Sequence, residues 1–385
     1  MSRSSLLKLA AAASIAAMLA AAGAFLLTGN NRGDGPAETI RPQGAQENKP
    51  AEVSQLSSGW WESRQSIYYG IPARIMFHLP EGNRDSAEKI AENAWAEFAR
   101  IGKIFNPSDP DSETSRLNSA NKTKPVAVSD DMFEVLKLCL KLWKASDGAF
   151  DPTTTAVKKL WQDAADTQKI PSQREIKSVL SKTGFENVRL INEHKAVVCD
   201  KKSIKFDFGG IAKGFAIDRT AGLLRESGAA DGLVQLGGEI AAFGANQEGG
   251  TWRIGIQHPT DMQDIWGRIT TKSAVKVSTS GNYRQPLKIQ GHEFYHIFSP
   301  ETGKPVNSKV LGVTTADPAG ITSSALLDGA ATAITVAGPE KGIDLAEKLG
   351  IESLVLTRQK DGDDIKESAT QGLFKHYERK NSSAP

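Results

Sequence analysis

Residues 207–218, DFGGIAKGFAID, put an acid, two glycines and a lysine where an apolar, strand-like run gives way to helical spacing. That layout suits an anion. Gly209 and Gly210 let the backbone approach a ligand and adopt angles closed to other residues, while the following helix offers free N–H groups and a partial positive charge. Phosphate is the natural guest, although paired glycines also serve simply to close a strand-to-helix turn. Four further segments could do chemistry. GAFDPTT (148–154) places Asp151 in a loop after a helix, as a ligand contact or as a turn cap. STSGNYR (278–284) is a small-residue loop ending in an aromatic and a cation, fit to hold a ligand or to close a hairpin. YHIFSPETGKP (295–305) presents His296 inside an alternating strand that runs into a turn, as a proton-transfer group or a structural histidine. Asp328 and Thr332 lie four apart on a helical pattern and share a face. They read either as a surface acid and a back-bonding threonine, or as hard oxygen ligands of the kind magnesium accepts beside phosphate and water.

The elements that must position these groups are mixed. Helical spacing predicts helices near 86–103, 130–145, 173–181, 212–227 and 339–349, with strand-like runs between them, so the class is α+β. Trp252, Ile254 and Ile256 alternate with Arg253, Gly255 and Gln257, the period of a half-buried strand. Ile217, Ala221 and Leu224 recur at helical spacing after the glycine turn, and Cys139 falls among Phe133, Leu136, Leu140 and Trp143 as a core residue. No period of 20 to 50 residues repeats, which excludes solenoids and propellers.

Arg3 and Lys8 precede an Ala- and Leu-rich run without charge, so residues 1–28 read as a secretory signal or a membrane anchor. No cysteine follows the run, which argues against a lipid-modified amino terminus. Residues 29–57 read as a polar flexible spacer, 58–377 as the globular part, and 378–385 as a disordered tail. With 39% hydrophobic residues a large core is available, and a net charge of only +2 gives no basic field for nucleic acid. Two cysteines, Cys139 and Cys199, provide neither a disulfide framework nor a thiolate metal cluster.

Seven segments in order, DSETSRLN from Asp111, GAFDPTT, DFGGIAKGFAID, QLGGEIAAFG from Gln235, STSGNYR, YHIFSPETGKP and LDGAATA from Leu327, make the chain resemble the ApbE family from about residue 64 to 375. The DFG triplet does not indicate a kinase, because no HRD-type loop precedes it. The resemblance implies an ApbE-like, T-fold-related arrangement of mixed sheets with packed helices. It also implies Mg²⁺-dependent transfer of FMN from FAD to a Thr or Ser hydroxyl of an exported redox protein, with AMP leaving, in the periplasm and with a possible inner-membrane tether. By resemblance the metal is held by Asp328 and Thr332 with main-chain oxygens of Gly210 and Ala331. FAD contacts fall on Ala149, Phe150, Asp151, Asp207, Lys213 and Phe298, and His296 assists catalysis, with Asp151 and Asp207 as rivals for the proton. The chain departs from the family pattern at three places: Tyr69 stands in the usual Met-Gly-Thr segment, Ser108 where a flavin- or adenine-stacking ring is common, and Glu239 where a Gly-Gly-Asn turn has Asn. Two other activities fit the same residues, cleavage of FAD by water and flavin binding without catalysis.

Overall fold

A computed structural model describes residues 52–67, 70–281, 287–306, 309–359 and 364–380, together with the backbone of 24–26. In chain order, β1 (Ala24–Leu26), β2 (Val53–Ser57), β3 (Trp60–Ile67) and β4 (Ile71–His78) precede helices α1 (Arg84–Phe105) and α2 (Glu113–Ser119). Next come β5 (Val126–Ala127), α3 (Asp130–Ala145), α4 (Thr155–Thr167), α5 (Gln173–Leu180), β6 (Val188–Ile191), β7 (Ala196–Cys199) and α6 (Ala212–Glu226). Seven strands follow: β8 (Asp231–Leu236), β9 (Glu239–Phe243), β10 (Trp252–Gln257), β11 (Ile265–Thr271), β12 (Val275–Gly281), β13 (Leu287–Ile289) and β14 (His292–Phe294). The chain then runs through β15 (Val310–Asp317), α7 (Ser324–Ala337), α8 (Pro339–Leu349), β16 (Glu352–Arg358), β17 (Ile365–Ala369) and β18 (Tyr377–Arg379).

Period-two alternation builds the centre of the molecule. Ile71, Ala73, Ile75 and Phe77 of β4 join a core shared with the helices, whereas Met76 faces the opposite way; Ala241 and Phe243 of β9 likewise oppose Ile240 and Ala242. The strands form one antiparallel nine-stranded sheet in the order β17-β16-β15-β12-β9-β8-β4-β3-β2. One face packs against α1, α3, α6, α7 and α8, and the other buries Trp60, Leu233 and Val277 against Trp252, Ile254 and Trp266 of a second sheet, β1-β10-β11-β18. A third cluster, with Val157, Trp161, Ile176, Ile289 and Phe298, joins α4 and α5 to the hairpin β13–β14. The fold is therefore α+β, in three layers with a satellite.

The run before Asp207 is not in a ladder: Ile204 and Phe206 are buried, but the hydrogen bonds at Phe206 go to the Asn118 side chain. Neither Gly209 nor Gly210 has a positive φ, so conformational freedom is not their role. The spacer does not extend to 57, because β2 pairs with β3, and the tail does not begin at 378, because β18 pairs with β11. Helices α2 and α4 lie outside the segments where helical spacing predicts helices, although Val157, Trp161 and Ala164 have helical spacing and are buried. In β10 the alternation holds only at the start: Gly255 and Gln257 are buried too, with Gln257 folded onto the Met262 carbonyl. Of residues 1–28 only the β1 backbone, antiparallel to β10, is described; the rest of that stretch lies outside the described residues. Among the described residues no helix is long and apolar enough to cross a membrane.

Candidate active site

Two helices cross at a glycine to make the floor of a cleft. A Cβ on Gly214 of α6 would stand 2.2 Å from the Ser324 carbonyl oxygen at the start of α7, so only glycine permits this crossing. The close approach lets the Gly214 N–H donate to Asp328 Oδ2 at 3.1 Å. The preceding residue of α6 is Lys213, whose Nζ lies 3.0 Å from Asp328 Oδ1 and 2.8 Å from Glu239 Oε1. Burial alone would lower the Lys213 ammonium, but the Asp328 and Glu239 carboxylates outweigh it and hold it above its ordinary range. Burial pushes Glu239 up to about 7, with Asp328 adding to the shift and Lys213 opposing it. Asp218, also on α6, caps α7: its carboxylate accepts from Ser324 N at 2.6 Å and from the hydroxyls of Ser323 and Ser324, and pairs with Lys276.

The segment that enters α6 is set by a side chain 88 residues earlier in the chain. Asn118 donates from Nδ2 to Phe206 O at 2.8 Å and accepts from Phe206 N at 2.7 Å, replacing a strand neighbour. Lys122, fully buried, donates to the carbonyls of Leu117, Asn118 and Ala120 and so closes the end of α2 that carries this clamp. Asp207 follows, accepting from Gly209 N at 2.9 Å and from Lys158 Nζ of α4 at 2.6 Å. Burial would raise the Asp207 carboxyl, yet Lys158 prevails and keeps it below the usual range. A Cβ on Gly210 would sit 3.0 Å from Thr332 Oγ1 on α7, which explains this glycine as a close approach.

Asp151 lines the cleft, but its carboxylate is taken up by the chain. Oδ1 accepts from Thr153 N at 2.7 Å and Thr153 Oγ1 at 2.6 Å, and Oδ2 from Phe185 N at 3.0 Å. The turn-cap reading therefore describes its bonds, and burial raises its pKa despite them. His296 does not lie in a strand. It follows β14, just before the Phe298–Pro305 bridge, where a tight turn is closed by Ser299 N to Lys304 O at 2.8 Å. Its imidazole is pushed down to about 4 by burial, with the charges of Lys158 and Lys213 adding to the shift. No hydrogen bond engages the ring among the described residues. Of the three groups that could take a proton, His296 alone has no hydrogen-bond partner among the described residues.

The cleft thus gathers Ala149, Phe150, Asp151, Asp207, Gly210, Lys213, His296, Phe298, Asp328 and Thr332. Phe298 turns its ring into the satellite core against Trp161, so its backbone is the part at the cleft. Two expected residues are not brought there, and a third falls outside the described residues. Ser108 is exposed on the α1–α2 turn and does not line the cleft, Ala331 is buried within α7 with its carbonyl accepting from Thr335 Oγ1 at 2.8 Å, and Tyr69 lies outside the described residues. Thr279 and Ser280 line the cleft from the STSGNYR segment, and Lys158 lines it from α4, outside every segment picked out in the sequence. No group of three or more His, Cys, Asp or Glu able to hold a metal occurs among the described residues. One carboxylate (Asp328), one hydroxyl (Thr332) and the neighbouring Gly210 carbonyl nevertheless suit a cation that completes its shell with water and phosphate, as magnesium does.

The model of the ApbE family matches residues 69–355. An FAD:protein FMN transferase of Escherichia coli strain K12 is 30% identical over 292 residues, covering 75% of this chain and 82% of that protein. One from Vibrio cholerae is 32% identical over 254 residues, 66% of this chain and 74% of that protein. The solved flavin transferase ApbE from Vibrio cholerae superposes with a TM-score of 0.69 at 27% identity, over 85% of this chain and 100% of that one. The family match spans every residue that lines the cleft, and the chain belongs to the ApbE family.

Proposed function

We propose that this protein transfers FMN from FAD to a Thr or Ser hydroxyl of an exported protein, with Mg²⁺ as cofactor and AMP as leaving group. One observation carries the reading: a single cleft joins the cations Lys158 and Lys213, the oxygen donors Asp328 and Thr332, and the imidazole of His296, which burial keeps neutral. Bound at Asp328, Thr332 and the Gly210 carbonyl, Mg²⁺ would neutralise the diphosphate and make its FMN phosphorus more electrophilic. Lys213 and Lys158 steer the diphosphate into the cleft. His296 accepts the proton of the acceptor hydroxyl as its oxygen forms the bond to phosphorus and the bond to the AMP phosphate breaks. The basic residues and apolar run of 1–28 support export to the periplasm with a cleaved signal or a retained tether.

Mass spectrometry tests the reading directly. Incubating the protein with FAD, Mg²⁺ and a threonine-bearing acceptor should give one FMN covalently attached per AMP released. AMP and free FMN without an adduct would make the protein a hydrolase, and intact FAD would leave it a flavin binder.

A further inference from the structure

Glu239 has no function in the reaction above, yet it is nearly inaccessible, at 1% exposure. Its Oε1 accepts from Lys213 Nζ at 2.8 Å and from Ser278 Oγ at 3.4 Å, and its Oε2 is buried without a hydrogen-bond partner. Lys213 is thereby shared between two carboxylates, of which only Asp328 lines the cleft. A divalent cation at Asp328 would meet the Lys213 ammonium across a single carboxylate. In a buried site that repulsion is large unless a second anion holds the ammonium on its far side.

We infer that Glu239 is a positioning residue that anchors Lys213, so that Asp328 can accept a divalent cation while the lysine stays in the cleft to meet the FAD diphosphate. This rests on the proposed metal site at Asp328. The same charge has the opposite effect on FAD itself, because without metal a carboxylate behind Lys213 weakens the attraction for a dianionic diphosphate.

The test is a pair of binding measurements on the full chain, without turnover. Mn²⁺ binding is followed by electron paramagnetic resonance, and FAD binding in EDTA by flavin fluorescence. Glu239→Gln should weaken Mn²⁺ at least tenfold and leave metal-free FAD affinity unchanged or tighter. Weakening of both ligands together, or unchanged Mn²⁺ affinity, would overturn the inference. Glu239→Asn, which shortens the side chain, serves as a second variant should the glutamine form fold poorly, with the same expectations. Asp328→Asn separates the two readings. If it abolishes Mn²⁺ binding while the Glu239 variants do not weaken it, the metal site stands and the Glu239 inference fails; if it leaves Mn²⁺ bound, the metal site itself is wrong.

Discussion

In the proposed transfer His296 takes the proton, because Asp151 and Asp207 have spent their oxygens on Thr153, Phe185, Gly209 and Lys158. His296→Ala should slow transfer by roughly a hundredfold or more, the usual scale for a general base, with FAD affinity nearly unchanged. Steady-state kinetics beside a fluorescence titration would separate the two; loss of folding or of affinity in place of rate would return His296 to a structural role. The pH dependence follows from its displaced titration. A base works only when unprotonated, and the free-enzyme imidazole is held down to about 4, so kcat/KM should stay level from neutrality to about pH 5 and fall as pH drops through 4. An acid limb near the ordinary histidine value would show that another group takes the proton. Much at this scale was legible. Asp207, Lys213, Asp328 and His296 sit in short motifs whose residue types imply the chemistry. Lys158 was not legible, because its partner lies 49 residues away and Thr154 offers no side-chain cap to mark its helix.

Between elements, what decides the site is how closely α6 and α7 approach. Helix propensity favours Gly214→Ala by roughly 1 kcal/mol. The added methyl, however, meets the Ser324 carbonyl at 2.2 Å and Ala325 N at 2.7 Å, backbone atoms that cannot rotate away. Overpacking of this kind costs about 1–3 kcal/mol, so the clash should win. Urea denaturation should show a net loss of stability, and Mn²⁺ affinity should fall because the Gly214 N–H is carried away from Asp328. A stabilised variant that keeps its metal would mean that the crossing has slack. The sequence shows a small residue here but not its reason, since the spacing of one helix does not reveal which element crosses it. The clamp from Asn118 to Phe206 was hidden in the same way: an apolar run reads as a strand, and only the fold shows that a side chain takes the place of the neighbouring strand.

For the whole molecule, the boundary of the sheet matters more than the polar composition around it. Residues 29–57 read as spacer because they are rich in Gly, Asn, Pro, Gln, Glu and Ser, yet an edge strand needs only one inward-facing apolar residue in its short length. Val53 supplies it at 2% exposure, and the Ser63 hydroxyl and Arg84 reach the carbonyls of Glu52 and Val53. A chain beginning at residue 58 should therefore lose about 1.5–3 kcal/mol from the buried valine alone, compared with one beginning at 50. It would also leave β3 as a bare eight-residue edge, with Trp60 and Trp61, open to pairing with another copy. Thermal melts should show the shorter chain less stable, and sedimentation should show it associating. The cleft is lined by β12, and in the strand order β9, β8, β4 and β3 separate β12 from β2, about 24 Å at ordinary strand spacing. FAD turnover per folded molecule should accordingly be the same for both chains. Equal melting temperatures would show that β2 adds nothing to the sheet, whereas turnover that falls in step with stability would show that this edge and the cleft are coupled through the sheet.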